Sequence, residues 1–258
     1  MDSTTEVRVA AIIAAKDEAS QIVSTIFAVR GIDSVDLVIV VDDGSSDGTG
    51  RLAREAGAVV VSHPRNRGKA AAMATGARVV ADRDVSDPGM TRARDLLFVD
   101  ADLGGSAANL AVLLAPVASG EADMTIATLP AQRTAGGGHG FVVRLARNGI
   151  ESLTGWVPTQ PLSGMRCLSR EAFEAVSPLA RRWGVEVGLT IDALGAGLRV
   201  LEVPCVLQHR VSGSDWRGQV HRARQYRDVW LALAVRRARS RAAHGFVRAR
   251  GRSERHAS

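Results

Sequence analysis

Two aspartates, Asp100 and Asp102, follow an apolar run in the segment LLFVDADLGG. Side chains two residues apart in an extended chain point to the same side, so these carboxylates repel each other unless a cation neutralises them. Hard divalent cations such as Mg²⁺ take oxygen ligands of this kind and also bind phosphates. The pair therefore indicates a metal site. The open alternative is that both residues cap a helix beginning near Ser106.

A second acidic pair, Asp42 and Asp43, ends the apolar segment VIVV and is followed by GSSDGT. The serines and Asp47 are typical of an Asx turn and a helix cap, but they do not account for two carboxylates directly at a strand end. Carboxylate oxygens accept hydrogen bonds from the N–H groups of a base and from ribose hydroxyls. We therefore expect this pair to bind a nucleoside.

Lys69 opens a helical pattern directly after the basic segment RNRG. A helix N-terminus with basic side chains beside it attracts anions such as phosphates. A P-loop is excluded, because that motif needs glycine where His63 stands and Ser or Thr where Ala70 stands. The segment GGGHG is not a dinucleotide-binding fingerprint either, since it follows no predicted strand.

Four single residues complete the candidates. His209 follows the last predicted strand, where a neutral imidazole is able to complete a metal site with the aspartate pair. Glu186 and Asp192 lie six residues apart on a predicted helix, so at most one of them is expected to face the site. Arg133, in the segment PAQRTAGGGHGF, is either solvated or a partner for an acidic acceptor.

Short apolar runs alternate with helical patterns through the first half of the chain. Strands are predicted at 7–15, 35–41, 58–63, 95–100 and 122–128, with helices between them. This alternation predicts an α/β fold whose mostly parallel sheet is covered by helices on both faces. Ligands of such sheets bind at the carboxyl ends of the strands, where the acidic clusters are expected to converge. The clusters are Lys16-Asp17-Glu18, Asp42-Asp43, and Asp100 with Asp102.

The end of the chain is rich in arginine. We predict one domain at 1–214, an appended basic amphipathic helix at 215–250 and a disordered tail at 251–258. Residues 206–258 hold 13 arginines against three acidic residues, which gives this part a net charge of +10. Because the whole chain has a net charge of +6, the first 205 residues carry a net charge of −4. A basic helix with aromatic residues either lies on an anionic membrane or packs its apolar stripe on the domain. A nucleic acid partner is disfavoured, because acidic strand ends repel phosphates.

Several classes of protein are disfavoured by composition. No apolar run reaches the ~18–20 residues needed to span a bilayer. The short N-terminal apolar run ends in charged residues and is predicted to be a strand, not a signal peptide. Cys167 and Cys205 lie far apart without metal-type spacing, which indicates buried thiols in a cytoplasmic protein. Membrane association and a homodimer both stay open.

Four segments occur in a characteristic order: VAAIIAAKDEASQI, VIVVDDGSSDGT, NRGKAAAMATGA and LLFVDADLGG. Together they resemble the N-terminal motifs of nucleotide-sugar glycosyltransferases of the GT-A fold, which is Rossmann-like. Later segments, QPLSG, GVEVGLTIDAL and LQHR, resemble the glucosyl-3-phosphoglycerate synthase group in particular. A more distant likeness is to the dolichyl-phosphate mannose synthases.

The resemblance implies roles in donor binding. Ala14, Ala15 and Glu18 would line the uridine pocket. The base or ribose would be held by Asp43 with Asp42, the phosphates would lie beside Lys69, and the ribose side would contact Asp100.

The resemblance also implies the remaining site residues. Asp102 would bind Mg²⁺ or Mn²⁺ together with His209, and Glu186 would face the sugar or the acceptor. We also expect Arg133, Ser163 and Gly164 to contact substrate.

Three positions depart from the family pattern. The usual Pro-x-x-Asn-Glu of the first strand end is here AAKDE, from Ala14 to Glu18. Met165 stands where Glu or Gln is usual, and Leu207 stands where an arginine is common. The last two changes argue against a phosphoglycerate acceptor, because that acceptor needs cationic partners.

We therefore expect a metal-dependent transferase that moves a hexose, with glucose from UDP-glucose favoured over GDP-mannose, to a small or phosphorylated acceptor. Retention at the anomeric carbon is implied by the closer family. One alternative is a polyprenyl-phosphate glycosyltransferase at a membrane surface. Another is a sugar-phosphate nucleotidyltransferase, which is disfavoured because such enzymes carry a glycine-rich loop where this chain has AAKDEASQ.

Overall fold

The structure is a computed structural model that describes residues 7–129, 140–207 and 224–240. The strands are β1 (Val9–Ala15), β2 (Val35–Asp42), β3 (Val59–Ser62), β4 (Asp95–Asp100), β5 (Met124–Thr128), β6 (Arg166–Leu168) and β7 (Val200–Pro204). The helices are α1 (Ile22–Arg30), α2 (Thr49–Glu55), α3 (Lys69–Ser86), α4 (Leu114–Ala118), α5 (Gly140–Thr154), α6 (Arg170–Ala175), α7 (Val185–Gly195) and α8 (224–240). Two 3₁₀ segments are Gly104–Leu113 and Arg182–Gly184.

The seven strands form one sheet in the order β3-β2-β1-β4-β6-β5-β7. All neighbouring strands are parallel except β6, which runs antiparallel to both β4 and β5. The predicted α/β fold with a mostly parallel sheet is confirmed. The five strands predicted in the first half are all present, and their ends lie within two residues of the predicted ones.

Both faces of the sheet are buried, which explains the continuous apolar strands. Along β1, Ile13 and its alternate neighbours pack against α1, α2 and the segment 104–118. Ile12, on the opposite side of the same strand, packs against α3, α6 and α7. The thiols of Cys167 and Cys205 are buried and unpaired.

The segment after β4 is not the regular α-helix that the sequence pattern predicts. Most of it is a 3₁₀ helix, and only α4 at its end is α-helical. Ala107, Leu110 and Leu113 are fully buried and lie three residues apart. That spacing brings one face of a 3₁₀ helix, with about 3.0 residues per turn, onto the sheet.

The arginine-rich helix α8 packs on α5 and α7. Val229 and Leu233 are fully buried in this contact. Small residues allow the approach, because a Cβ on Gly149 would overlap the side chain of Leu233. Arg236 adds an ion pair, its Nε donating to Oδ1 of Asp192 at 2.8 Å. This helix is therefore docked on the domain. The remainder of the predicted helix and the tail at 251–258 lie outside the described residues.

Within the described ranges, no helix combines the length and the apolar character needed to cross a membrane.

Candidate functional site

The register of the central strands brings the predicted strand-end residues together. Ala15 on β1 lies opposite Asp42 on β2, and Ala14 lies opposite Val41 and, on the other side, opposite Asp100 of β4. The carboxyl ends of three parallel strands therefore meet at one edge, as the sequence predicts. Such an edge is where sheets of this kind bind ligands.

Lys69 lies at the centre of this edge between two carboxylates. Its Nζ is 2.5 Å from Oδ1 of Asp100 and 3.3 Å from Oε1 of Glu186. Burial lowers the pKa of Lys69, but the charges of Asp100 and Glu186 outweigh burial and raise this pKa above its ordinary value. Lys69 is therefore a permanent cation, and Glu186, not Asp192, is the residue of α7 that faces the site.

A close backbone approach completes this cluster. Gly164 lies in the loop before β6, and a Cβ added to it would overlap Nζ of Lys69 and lie 3.0 Å from Oδ2 of Asp100. Only glycine leaves room for the ion pair. The elements α3, β4, α7 and the loop before β6 thus converge on one cation with two carboxylates.

The loops that follow β1 and β2 are joined by side-chain hydrogen bonds. Asp17, in a left-handed conformation with φ 55°, accepts from the N–H of Ser46 through Oδ1 at 2.8 Å. Asp47 accepts from the N–H of Ala19 at 3.0 Å, and the N–H of Glu18 donates to Thr49 Oγ1 at 2.9 Å. These contacts fix the backbone on either side of Glu18.

Hydrogen bonds within these two loops lower the pKa values of Asp17 and Asp47. For Asp17, the main cause is the hydrogen bond from the N–H of Ser46, followed by that from Lys16. For Asp47, the main cause is the hydrogen bond from the side chain of Thr49. Both groups are therefore carboxylates at neutral pH.

Asp43 holds the start of α3. Its Oδ1 accepts from the N–H of Arg67 at 2.8 Å and its Oδ2 from that of Gly68 at 2.7 Å. His63 lies 2.7 Å from the same Oδ1 through Nδ1 and 3.0 Å from Thr75 Oγ1 through Nε2. The sequence did not single out His63. Only its position at the end of β3, beside Asp42, could have indicated it, since the N–H of His63 donates to the carbonyl of Asp42.

Asp42 has a different environment from Asp43. Its Oδ1 accepts from the N–H of Ser45 at 2.9 Å, and Oδ2 lies against Gly50 of α2. Both carboxylates are buried. The pair therefore shapes the two loops that follow β2 and β3, beside the edge where a nucleoside is expected.

Asp100 and Asp102 are separated in role by their surroundings. Asp100 is paired with Lys69, and the N–H of Ser106 donates to the carbonyl of Leu103. The turn is thus closed by backbone, and Asp100 is not the helix cap of the alternative reading. Asp102 follows the strand and is partly buried.

Among the described residues, no three His, Cys, Asp or Glu side chains form a metal-binding group. His209, predicted to complete the metal site, and Arg133, predicted to contact substrate, lie outside the described residues.

The loop that carries Gly164 is fixed from several sides. The hydroxyl of Ser163 donates to the carbonyl of Ala127 at 2.6 Å. Gln160 pairs with the backbone of Leu129, accepting from its N–H at 3.0 Å. Met165 and Leu207, the two departures from the family pattern, are buried in the core and contribute no cation to the site.

Arg166, to which no sequence pattern points, has the largest side chain among those described residues that are almost completely buried. Its Nε donates to the carbonyl of Ser163 at 3.1 Å. An arginine inside a three-residue strand gives no signal of this kind in the sequence.

Comparison with known proteins agrees with this architecture. The sequence model described as glycosyl transferase family 2 matches residues 10–173. Glycosyltransferase AglJ from Haloferax volcanii is 29% identical over 186 residues, which cover 69% of this chain and 56% of AglJ. An uncharacterized protein from Methanocaldococcus jannaschii is 27% identical over 173 residues, which cover 65% of this chain and 68% of that protein. The chain thus spans little more than half the length of AglJ.

Solved structures show the same similarity. Glucosyl-3-phosphoglycerate synthase from Mycobacterium tuberculosis in complex with phosphoglyceric acid has a TM-score of 0.68 at 30% identity, covering 89% of this chain and 80% of that one. Its complex with Mn²⁺, UDP and glucosyl-3-phosphoglycerate has a TM-score of 0.67 at 28% identity, with the same coverage. A complex with Mg²⁺ and UDP has a TM-score of 0.67 at 29% identity, covering 89% of this chain and 79% of that one.

Proposed function

Because the chain belongs to glycosyl transferase family 2, we propose that it moves a hexose, glucose from UDP-glucose, to a small or phosphorylated acceptor in a metal-dependent reaction with retention. The observation that carries this proposal is the convergence of Lys69, Asp100, Gly164 and Glu186 at the carboxyl edge of the sheet. The complexes of the mycobacterial synthase with UDP and Mn²⁺ or Mg²⁺ support the choice of donor and metal.

The residues at this edge fit a divalent cation. Asp102 offers carboxylate oxygens, the ligand type that Mg²⁺ and Mn²⁺ take, and it follows β4 next to the Lys69–Asp100 pair. Asp102 would hold the metal with His209, and the diphosphate of the donor would supply further oxygens. When bound, the metal supplies a Lewis acid that stabilises the negative charge of the departing nucleoside diphosphate.

Lys69 stabilises the same negative charge through its own positive charge. Its ammonium group is held by two carboxylates and points to the edge where the diphosphate lies. As the glycosidic bond breaks, the diphosphate becomes more negative, so its attraction to a fixed cation grows towards the transition state. Glu186, on the other side of Lys69, faces the sugar or the acceptor.

The nucleoside lies over the carboxyl ends of β1 and β2. Ala14, Ala15 and Glu18 line the uridine pocket, while Asp42 and Asp43 hold the base or ribose, Asp43 also through the loop that it fixes. The ribose side is contacted by Asp100. Arg133, Ser163 and Gly164 contact the substrates.

The test is substitution of Asp102 by alanine. We expect Asp102→Ala to abolish release of UDP from UDP-glucose in the presence of Mn²⁺, while circular dichroism and the melting temperature show a folded protein. Asp33→Ala, at an exposed aspartate before β2, is the matched control and should keep full turnover. Full turnover in Asp102→Ala, or in excess EDTA, contradicts the proposal.

Donor identity is tested by binding. A ligand that binds only the folded state raises its stability by RT ln(1 + [L]/Kd). UDP-, GDP-, ADP- and dTDP-sugars are compared by thermal shift with and without Mn²⁺. We expect UDP-glucose to give the largest metal-dependent rise, and a larger rise with GDP-mannose reassigns the donor.

A second candidate acceptor is a polyprenyl phosphate at the cytoplasmic surface of a membrane. Two grooves of about 710 and 470 Å³ share Pro178, Leu179, Arg181 and Arg182 in their lining and support this candidate. The arginines along the grooves are Arg67, Arg78, Arg170, Arg181, Arg182, Arg227, Arg236 and Arg239, against Glu174 and Asp228. Beside them, Trp230, Leu231 and Val235 are exposed on the outer face of α8. Exposed apolar side chains among arginines suit an anionic lipid surface.

Sedimentation with vesicles tests this second candidate. If the candidate holds, the protein sediments with vesicles containing phosphatidylglycerol at low salt and not with phosphatidylcholine alone, since the attraction is screened by salt. Reversing Arg181 and Arg239 to glutamate should then release the protein, whereas reversing Arg51 and Arg83 should not. No sedimentation of the wild type at low salt removes the membrane acceptor and leaves the small acceptor. Sedimentation velocity of the protein alone tests for a homodimer, which the sequence leaves open.

A further inference from the structure

Arg166 is a charged side chain in the middle of the sheet. It lies on β6, between β4 and β5, and is 1% exposed. No carboxylate among the described residues forms an ion pair with it, and its Nη2 has no hydrogen-bond partner there. A buried charge costs several kcal/mol unless it is paired, and an apolar residue of similar volume is often as stable or more stable. The presence of arginine at this position therefore needs an explanation other than packing.

The contacts of Arg166 join two parts of the candidate site. Its Nε donates to the carbonyl of Ser163 at 3.1 Å, next to Gly164. Its Nη1 donates to Oγ1 of Thr190 on α7 at 2.9 Å. The hydroxyl of Thr190 donates in turn to the carbonyl of Glu186 at 3.0 Å, one helical turn earlier. One guanidinium group thus links the loop of Gly164 to the helix of Glu186.

Arg166 also keeps its charge. Burial lowers the pKa of Arg166 to about 10, and the charges of Glu186 and Glu202 act in the opposite direction. The group remains a cation at neutral pH. A planar guanidinium directs donors in fixed directions, so it can hold two acceptors on different segments at the same time, which a lysine ammonium does less well.

We infer that Arg166 is a positioning residue that holds the loop of Gly164 and the first turns of α7 in place behind Lys69. Gly164 and Glu186 both touch or closely approach the Lys69 ammonium group, so a shift of either segment moves the cation. The inference rests on the proposed function, in which that cation faces the donor diphosphate. It assigns to Arg166 no contact with substrate.

The experiment compares three variants with a matched control. Arg166→Met removes the charge and both hydrogen bonds while keeping an extended apolar chain. Arg166→Lys keeps the positive charge but not the planar arrangement of several hydrogen-bond donors. Thr190→Val removes only the contact on α7. Thr125→Val is the control, because Thr125 is equally buried and its hydroxyl donates to the carbonyl of Leu113, on the face of the sheet opposite α7.

Two measurements separate positioning from stability. Hydrogen–deuterium exchange reports the backbone of 160–164 and 185–190, and release of UDP from UDP-glucose with Mn²⁺ reports kcat and KM. In Arg166→Met we expect faster exchange in both segments with an unchanged or raised melting temperature. We also expect kcat to fall about a hundredfold, the effect of roughly 1 Å of misplacement, while KM changes by less than about threefold.

The other variants are expected to change exchange and kcat less than Arg166→Met does. Thr190→Val should raise exchange at 185–190 alone and lower kcat by about tenfold, the effect of roughly one hydrogen bond. Arg166→Lys should recover part of the kcat lost in Arg166→Met, and Thr125→Val should keep the wild-type kcat and exchange in both segments.

Unchanged exchange and kcat in Arg166→Met overturn the inference, as does an equal loss in Thr125→Val. A lowered melting temperature with kcat unchanged assigns Arg166 to stability alone and also overturns it. If the wild type releases no UDP from any UDP-sugar, the proposed function fails, but hydrogen exchange still decides whether Arg166 holds the two segments.

Discussion

At the scale of single residues, the position of Lys69 depends on the absence of a side chain at Gly164. Gly164→Ala would place a methyl group where Nζ of Lys69 now lies and 3.0 Å from Oδ2 of Asp100. Because the loop is held by Ser163 and Arg166, we expect the lysine to move and not the loop. The dissociation constant of UDP with Mn²⁺, measured by calorimetry, should rise by about tenfold or more, which corresponds to about 1.4 kcal/mol.

Gly195→Ala is the matched control for this change. A Cβ on Gly195, the last residue of α7, would meet no atom within 4 Å. The control should bind UDP as the wild type does. Wild-type affinity in Gly164→Ala contradicts the assignment of Lys69 to the diphosphate.

Asp95 gives the protein a pH-dependent stability that is independent of the site. It begins β4 and is buried, and burial raises its pKa from 3.8 to about 6 although Arg92 acts to lower it. The folded state therefore binds this proton more tightly than the unfolded state, so the contribution of Asp95 to stability is greatest below pH 4 and falls as pH rises towards 6. Asp95→Asn should gain about 2–3 kcal/mol relative to the wild type between about pH 4 and pH 7, measured by urea unfolding.

Asp123→Asn is the control, because the pKa of Asp123 is shifted in the opposite direction from that of Asp95. The hydrogen bond from Arg199 is the main reason that the pKa of Asp123 is lowered, so its contribution is present above pH 4 and lost only below it. Asp123→Asn should therefore show no gain between pH 4 and pH 7. Parallel pH profiles for Asp95→Asn and the wild type would contradict the raised pKa.

Residue types at strand ends were informative in the sequence because position along a parallel strand fixes the edge on which a side chain lies. This is why Asp42, Asp100 and Lys69 could be placed near one another. The sequence could not show that Asp43 binds the backbone at the start of α3, or that Arg166 links two segments, because both depend on contacts between residues distant in the chain.

At the scale of elements, α8 depends on close packing at a glycine. Gly149 lies on α5 against Leu233, which is fully buried, and a Cβ on Gly149 would overlap the side chain of Leu233. Alanine is favoured over glycine in a helix by about 1 kcal/mol. In Gly149→Ala this gain should be exceeded by overpacking, which costs about 1–3 kcal/mol. We expect a lower melting temperature and faster hydrogen exchange in 224–240.

Gly195→Ala again separates the two effects, since it gains helix propensity without a clash. It should leave exchange in 224–240 unchanged and should not lower the melting temperature. Unchanged exchange in Gly149→Ala would mean that α8 does not depend on this contact.

Periodicity in the sequence was sufficient to predict some of the elements but not others. Continuous apolar runs predicted the strands because both faces of the sheet are buried. The pattern that begins at Ser106 predicts a regular helix because periods of 3.0 and 3.6 residues differ little over ten residues, and only the buried positions at every third residue of the observed 3₁₀ segment distinguish them. The docking of α8 was left open, because the stripe that contacts α5 and α7 would suit a membrane equally well.

At the scale of the whole molecule, the two edges of the sheet carry separate clusters of charged side chains. The carboxyl edge carries the candidate site, and the amino edge carries a network around Arg94, which begins about 20 Å away along β4 at about 3.3 Å per residue. Arg94 is buried and pairs with Asp84 at 2.5 Å and Asp36 at 2.8 Å, while Arg170 pairs with Asp84 at 2.7 Å. Hydrogen bonds from Arg94 to Asp36 are the main reason that its pKa lies above the ordinary value.

This separation predicts that stability and donor binding can be changed independently. Arg94→Met leaves Asp84 and Asp36 with fewer partners in a buried setting, so we expect a loss of about 3 kcal/mol in the free energy of unfolding. Arg83→Met, at an exposed arginine of the same region, should change stability by less than about 0.5 kcal/mol. Below the melting temperature, both variants should bind UDP with Mn²⁺ as the wild type does. A weakened affinity in Arg94→Met alone would show that the amino edge also controls the geometry around Lys69, through α3, which carries both Lys69 and Asp84.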